Sequence, residues 1–204
     1  MSARLGSRDA ELERRLESTL VRNNVLTEIL DRAPGLWLPN WYLGAGCIAQ
    51  TVWNELHGFP PTANIKDYDL VYFDSSDFSG EAEEAHARDA QKLLQDLKVE
   101  IDVANEARVH LWYSDHFGYA IKPYSSVEDG IASWPSTGTA IGVRKEKNGS
   151  FTIYSPFGLT DLFGMIVRPN KRQITKEIYA AKVQRWAKCW PKLQVVVWED
   201  EPGP

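Results

Sequence analysis

Three acidic residues lie in segments whose other side chains are mostly apolar, and their spacing suits chemistry on phosphate. In IKDYDLVYFD, residues 65–74, Asp67 and Asp69 alternate with Tyr68, Leu70 and Tyr72. The period of two in an extended chain puts the two acids on one face with Ile65, Val71 and Phe73, roughly 7 Å apart along the strand. In KVEIDVAN, residues 98–105, Val99, Ile101 and Val103 face one way while Glu100 and Asp102 face the other. Ionised carboxylates at the mouth of an apolar sheet repel one another unless a positive charge lies between them. A divalent cation, Mg²⁺ or Mn²⁺, meets that need, because such an ion takes oxygen ligands and commonly combines one or two carboxylates with substrate phosphates. Asp67, Asp69 and Asp102 are the candidate ligands and catalytic acids, with Asp102 also a candidate to accept a proton. One or two ions so held would serve phosphoryl transfer.

Gly44-Ala45-Gly46 sits between the apolar run WLPNWYL, residues 37–43, and a helical pattern from Cys47 to Leu56. Small residues between a strand and a helix let backbone amides approach phosphate oxygens, and the helix N-terminus adds its positive end. A GAG or a DxD alone is common in turns and on surfaces; their order strengthens both. After the third acid come Asn105, Arg108 and His110. An unbroken strand would carry them onto the acid face as nucleotide contacts, Arg108 and His110 being period-two partners of Asp102. Arg108 is then either a phosphate clamp or a structural ion pair with Glu100, Glu106 or Asp102. His110 is either a base or a structural histidine. Thr137 and Thr139 suit turn and strand positions better than a reach across the cleft, and Asp161 suits a helix start.

These groups need a scaffold. Residues 9–33 have the period of a helix, broken at Asn23-Asn24, with the second piece capped there. A polar helix is expected over 80–97, a hairpin around Asn148-Gly149, and a last helix from Ile174 to Trp190. That last helix has an apolar stripe of Tyr179, Val183, Trp186 and Trp190, with Lys182, Arg185, Lys188 and Lys192 on the opposite face. The basic face fits a solvated surface, or one that steers an RNA or phosphorylated acceptor. Strands alternating with helices predict an α/β (α+β) protein, a small mixed sheet with helices packed on one face. The expected organisation is one domain over 1–204, with a helical segment over 1–36, a catalytic core over 37–165, and a C-terminal helix and tail over 166–204.

The chain has 204 residues and a net charge of −5, which gives no general attraction to nucleic acid or to an anionic membrane. Its two cysteines, Cys47 and Cys189, form no framework or zinc pattern. The N-terminus is charged, without a secretory signal, and no stretch is apolar enough to span a membrane, so a cytoplasmic protein is expected.

The segments GAGCIAQTVWNELHG (44–58), DYDLVYFD (67–74), DVANEARVHLWY (102–113), SPFGLTDLF (155–163) and RPNK (168–171) resemble the polymerase-beta-like nucleotidyltransferase superfamily. The likeness is nearest to its small bacterial and fungal members of unassigned substrate and extends from about Trp41 to Trp198. It implies a minimal nucleotidyltransferase fold with metal on Asp67, Asp69 and Asp102. It also implies transfer of a nucleoside monophosphate from an NTP to an acceptor hydroxyl, releasing pyrophosphate. The acceptor stays open among RNA, protein and small molecule, with no DNA and no membrane. A non-catalytic nucleotide sensor or a protein-partner module on the same fold is the alternative. Two departures stand out: Ala45-Gly46 replaces the usual Gly-Ser, removing a hydroxyl from the phosphate turn, and Glu106 stands where near relatives more often have Gln.

Overall fold

The computed structural model describes residues 2–199. Helix α1, Ser2–Leu20, and helix α2, Asn24–Arg32, are separated where expected, with the Asn23 side chain capping α2 by accepting from the Leu26 amide. The apolar run after them is not the strand its composition suggests. Trp37 and Asn40 both adopt positive φ, Trp37 is 87% exposed, and strand β1 is only Tyr42–Gly44. Helix α3, Gly46–His57, leads to strand β2, Asp67–Tyr72. Helix α4, Gly80–Leu94, crosses over to strand β3, Glu100–Asn105.

The chain then departs from expectation. A short 3₁₀ turn at Glu106–Arg108 runs into helix α5, Val109–Phe117, so the strand ends before Arg108 and His110. The cause is Asn105, whose side-chain oxygen accepts from the amides of Ala107 and Asp74 and turns the backbone. Helix α6, Val127–Ile131, precedes the expected hairpin of strands β4, Gly142–Lys145, and β5, Phe151–Tyr154. Helix α7, Thr160–Phe163, strand β6, Ile166–Val167, helix α8, Lys176–Cys189, and strand β7, Gln194–Val195, complete the described chain. The parallel β6–β7 pair was not foreseen. The acidic end EDEPGP lies outside the described residues from Asp200 onward.

The main sheet has the order β3-β2-β1-β4-β5, with β2 and β3 parallel and the other pairs antiparallel. Leu43, Tyr68, Leu70, Tyr72 and Val143 turn to one face and join the large core built with Leu16, Leu20, Leu26, Ile29, Ile48, Val52 and Trp53. That face takes the long helices. The opposite face, which carries the acids, has a smaller apolar cluster of Tyr42 and Val71 with Val127 and Ile131 of α6.

Helix α8 is fastened to α3 by aromatic edges. The Trp53 ring meets Trp186 and Trp190 at centroid distances of 5.7 and 5.5 Å. Asn54, fully buried, ties this junction to the following loop. Its amide donates to the carbonyls of Pro61 at 3.0 Å and Ala63 at 2.7 Å, and its oxygen accepts from Trp190 Nε1 at 2.8 Å. Asn54→Ala strands the buried Trp190 Nε1 and releases the two half-buried loop carbonyls, and is expected to cost about 2–3 kcal/mol, since an orphaned buried group costs on the order of 1–3 kcal/mol. Urea denaturation of the variant beside the unsubstituted protein measures this.

Candidate active site

The parallel ladder determines where the acids go. Asp69 pairs with Asp102 and Asp67 with Glu100, so the expected face assignment holds, and Asp69 and Asp102 stand side by side on neighbouring strands. Adjacent strands lie about 4.8 Å apart. Asp67 and Asp69 line a cleft of roughly 330 Å³ that also takes in Ala45, Gly46, Gln50, Lys182 and Arg185. Asp102 is more exposed, next to Asp69 but outside the cleft lining.

The electrostatics follow from that crowding. Burial, then the charge of Asp67, then that of Asp102 push the Asp69 carboxyl up to about 7. Asp102 is also raised, by burial first and then by Asp67 and Glu100. Lys182 lies at the same spot; burial and Arg185 lower it, while Asp69 and Asp67 act in the opposite sense. Among the described residues, no three His, Cys, Asp or Glu side chains already converge as a cation-holding group. Like charges without a counter-ion have no reason to draw together, and Asp67 pairs at 3.7 Å with exposed Lys66. The donor set fits a divalent cation all the same: three carboxylates on one face, two of them raised by burial and then by their acidic neighbours.

The small-residue turn is tightly constrained. A Cβ on Gly44 would come within 2.7 Å of the Ile141 carbonyl oxygen and of the Trp134 ring, so only glycine fits there. The Ala45 amide donates to that same carbonyl at 3.0 Å, and Ala45 itself is held at φ 54°, ψ −125°. A non-glycine residue held in a sparsely populated region costs of order 1–3 kcal/mol. Helix α3 starts without a side-chain cap, which leaves its first amides and the positive end of its dipole for an anion.

The remaining sequence candidates lie elsewhere. Arg108 forms an ion pair with Glu83 and donates to the Phe78 carbonyl at 2.8 Å; its partner is not Glu100, Glu106 or Asp102. His110 sets its ring edge-on to Phe78, and Asn105 is engaged by the Asp74 backbone. None of the three lines the cleft, because the strand that would have carried them there ends at Asn105. Thr137 donates to Asp161, which also takes Arg168. Thr139 reaches the cleft wall but bonds to the Ser136 hydroxyl.

Three residues that the sequence does not place in the cleft join the site. Lys182 and Arg185 belong to the basic face of α8, yet they line the cleft rather than face solvent alone. Glu106 is 4% exposed and also lines it. Burial, then the Asp69 charge, push its carboxyl up to about 8, while the Trp134 side chain acts in the opposite sense. No periodicity marks Glu106, and only the departure from Gln singled it out.

A family model described as nucleotidyltransferase matches residues 31–195. The chain belongs to that nucleotidyltransferase family. A structure determined by NMR and described as revealing a CCA-adding enzyme head domain is similar over 86% of this chain and 91% of its own, at 24% identity and a TM-score of 0.71. The fold is accordingly the polymerase-beta-like nucleotidyltransferase fold, a mixed α/β domain around a small mixed sheet. No curated protein matches the chain. Among the described residues, no helix is long and apolar enough to cross a membrane.

The raised carboxyls set a pH dependence. Between about pH 4, where an unfolded carboxylate loses its proton, and the folded values near 7 for Asp69 and 8 for Glu106, the folded nucleotidyltransferase holds protons that the unfolded chain has released. Their contribution to stability is therefore full below pH 4 and is lost as pH rises through that window. In EDTA, Asp69→Asn is expected to overtake the unsubstituted protein as pH goes from 5 to 8. A gain of several degrees in Tm is expected, at about 2–4 °C per kcal/mol for this length. A Tm difference that does not widen with pH would contradict the assignment.

Proposed function

We propose that the protein is a metal-dependent nucleotidyltransferase that moves a nucleoside monophosphate from an NTP to an acceptor hydroxyl. The observation that carries this reading is the pairing of Asp69 with Asp102 across a parallel ladder, with Asp67 on the same face and the uncapped start of α3 beside them. Asp67, Asp69 and Asp102 are the residues that would hold Mg²⁺ or Mn²⁺. Such an ion, when bound, neutralises phosphate charge and favours the ionised hydroxyl.

Everything else falls to the chain's own groups. The Ala45–Gly46 turn and the first amides of α3 receive phosphate oxygens of the donor. Lys182 and Arg185 face them from α8 and supply the positive charge that the displaced Arg108 does not. The acceptor oxygen attacks the α-phosphorus, the bond from that phosphorus to the bridging oxygen breaks, and pyrophosphate leaves with the electron pair. The acceptor's proton passes to Asp102. Catalysis of this type is mostly positioning and charge neutralisation, which explains how so few side chains suffice.

Calorimetric titration of ATP, GTP, CTP and UTP with Mg²⁺, repeated in EDTA, tests the reading. Binding of at least one donor that disappears in EDTA is expected. Asp67→Asn and Asp69→Asn should both remove the metal-dependent component, and Lys182→Met should weaken the donor roughly ten-fold or more while leaving Tm near its original value. Retained turnover in either aspartate variant would overturn the proposal.

A further inference from the structure

One wall of the cleft has no part in holding phosphate. It is formed by Trp112, Tyr113 and Phe117 of α5, with Tyr124, Trp134 and the buried Glu106 beside them. The hydroxyls here are already committed. Tyr113 shares a hydrogen bond with Tyr119, which donates to the Gln173 carbonyl, while Tyr124 bonds to the Ser133 hydroxyl and the Gln173 side chain. The rings brace one another, with Tyr113 and Phe117 at 4.4 Å between centroids. Trp112 remains 40% exposed at the rim.

Glu106 is the exception in this settled wall. Its carboxyl lies against Gly130, where even a Cβ would collide with it. The Trp134 side chain acts on it as a neutral polar neighbour, and no Lys, Arg or His of the described residues pairs with it. The ionisable groups that act on it are Asp69 and Glu83, both acidic. Alone in this wall the acid keeps its proton at neutral pH; a cation set against it favours the ionised form, the proton passing to solvent. Aromatic faces attract cations as well, Trp most strongly. A carboxylate without a counter-ion, set among aromatic rings at the edge of a cleft, has the complementarity of an ammonium site.

We propose that this wall is the acceptor subsite and that it takes a hydroxyl compound bearing a protonated amine. Glu106 pairs with the ammonium and the rings of α5 and Trp134 enclose its carbon frame. That the occupant is the acceptor rests on the transferase reading; that it is a cation does not.

The test uses the full chain and two probes of matched size, 2-phenylethylammonium and neutral 2-phenylethanol, followed by tryptophan fluorescence and calorimetry. The unsubstituted protein is expected to bind the ammonium at least ten-fold more tightly than the alcohol. Glu106→Gln should bring the two within about two-fold by weakening the ammonium alone, with Tm equal to or above that of the unsubstituted protein. Trp112→Ala, at an exposed position, should weaken both probes. Equal affinity for the two probes, no detectable binding of either, or an ammonium preference that survives Glu106→Gln would each overturn the proposal. An NTP titration run in parallel separates the two readings. Donor binding without ammonium preference sinks this inference alone, and ammonium preference without donor binding sinks the transferase reading alone.

Discussion

Like charges on neighbouring strands repel, and the β2–β3 ladder places Asp69 beside Asp102 with Asp67 two residues away on the same face. A sheet so loaded holds only if its other face is strongly committed. That commitment is visible in Tyr68, Leu70 and Tyr72, which alternate with the acids and are almost completely buried against α3 and the helices behind it. A one-residue slip of β2 would bury the acids and expose those three side chains together. The register is therefore enforced by the apolar face, and the acids accept the position it imposes.

Local periodicity carries only part of this arrangement. The two acid strands and their faces were legible because a period of two separates apolar from charged residues without reference to anything distant. The end of β3 was not. Nothing local in NEARVH says that Asn105 will turn to the amides of Ala107 and Asp74, and the Asp74 contact exists only after β2 has paired with β3. Arg108 and His110 were misplaced for that reason alone. On α8 the apolar stripe was read correctly, but a polar face need not be a solvent face. Packing of Trp186 and Trp190 on Trp53 turns Lys182 toward the acids. Trp37 shows the converse, an aromatic in an apolar run that the fold leaves outside.

Charge is sorted across the cleft in a way that composition hides. The chain is acidic overall, yet one wall gathers Lys182, Arg185 and the start of α3 around Asp67 and Asp69, while another holds Glu106, which no cation among the described residues pairs. A net charge reports on solubility and long-range steering. It is silent on such local separation, which arises where α5, α6 and α8 converge from distant parts of the chain.

The parallel pairing also bears on how the molecule comes into being. Antiparallel neighbours such as β4 and β5 need only their tight turn, whereas β2 meets β3 only after the crossover through α4 has closed. The acidic trio is thus incomplete until that crossover closes, a step entropically more demanding than closing the hairpin. The hairpin can close without the site, but the site cannot form without the crossover.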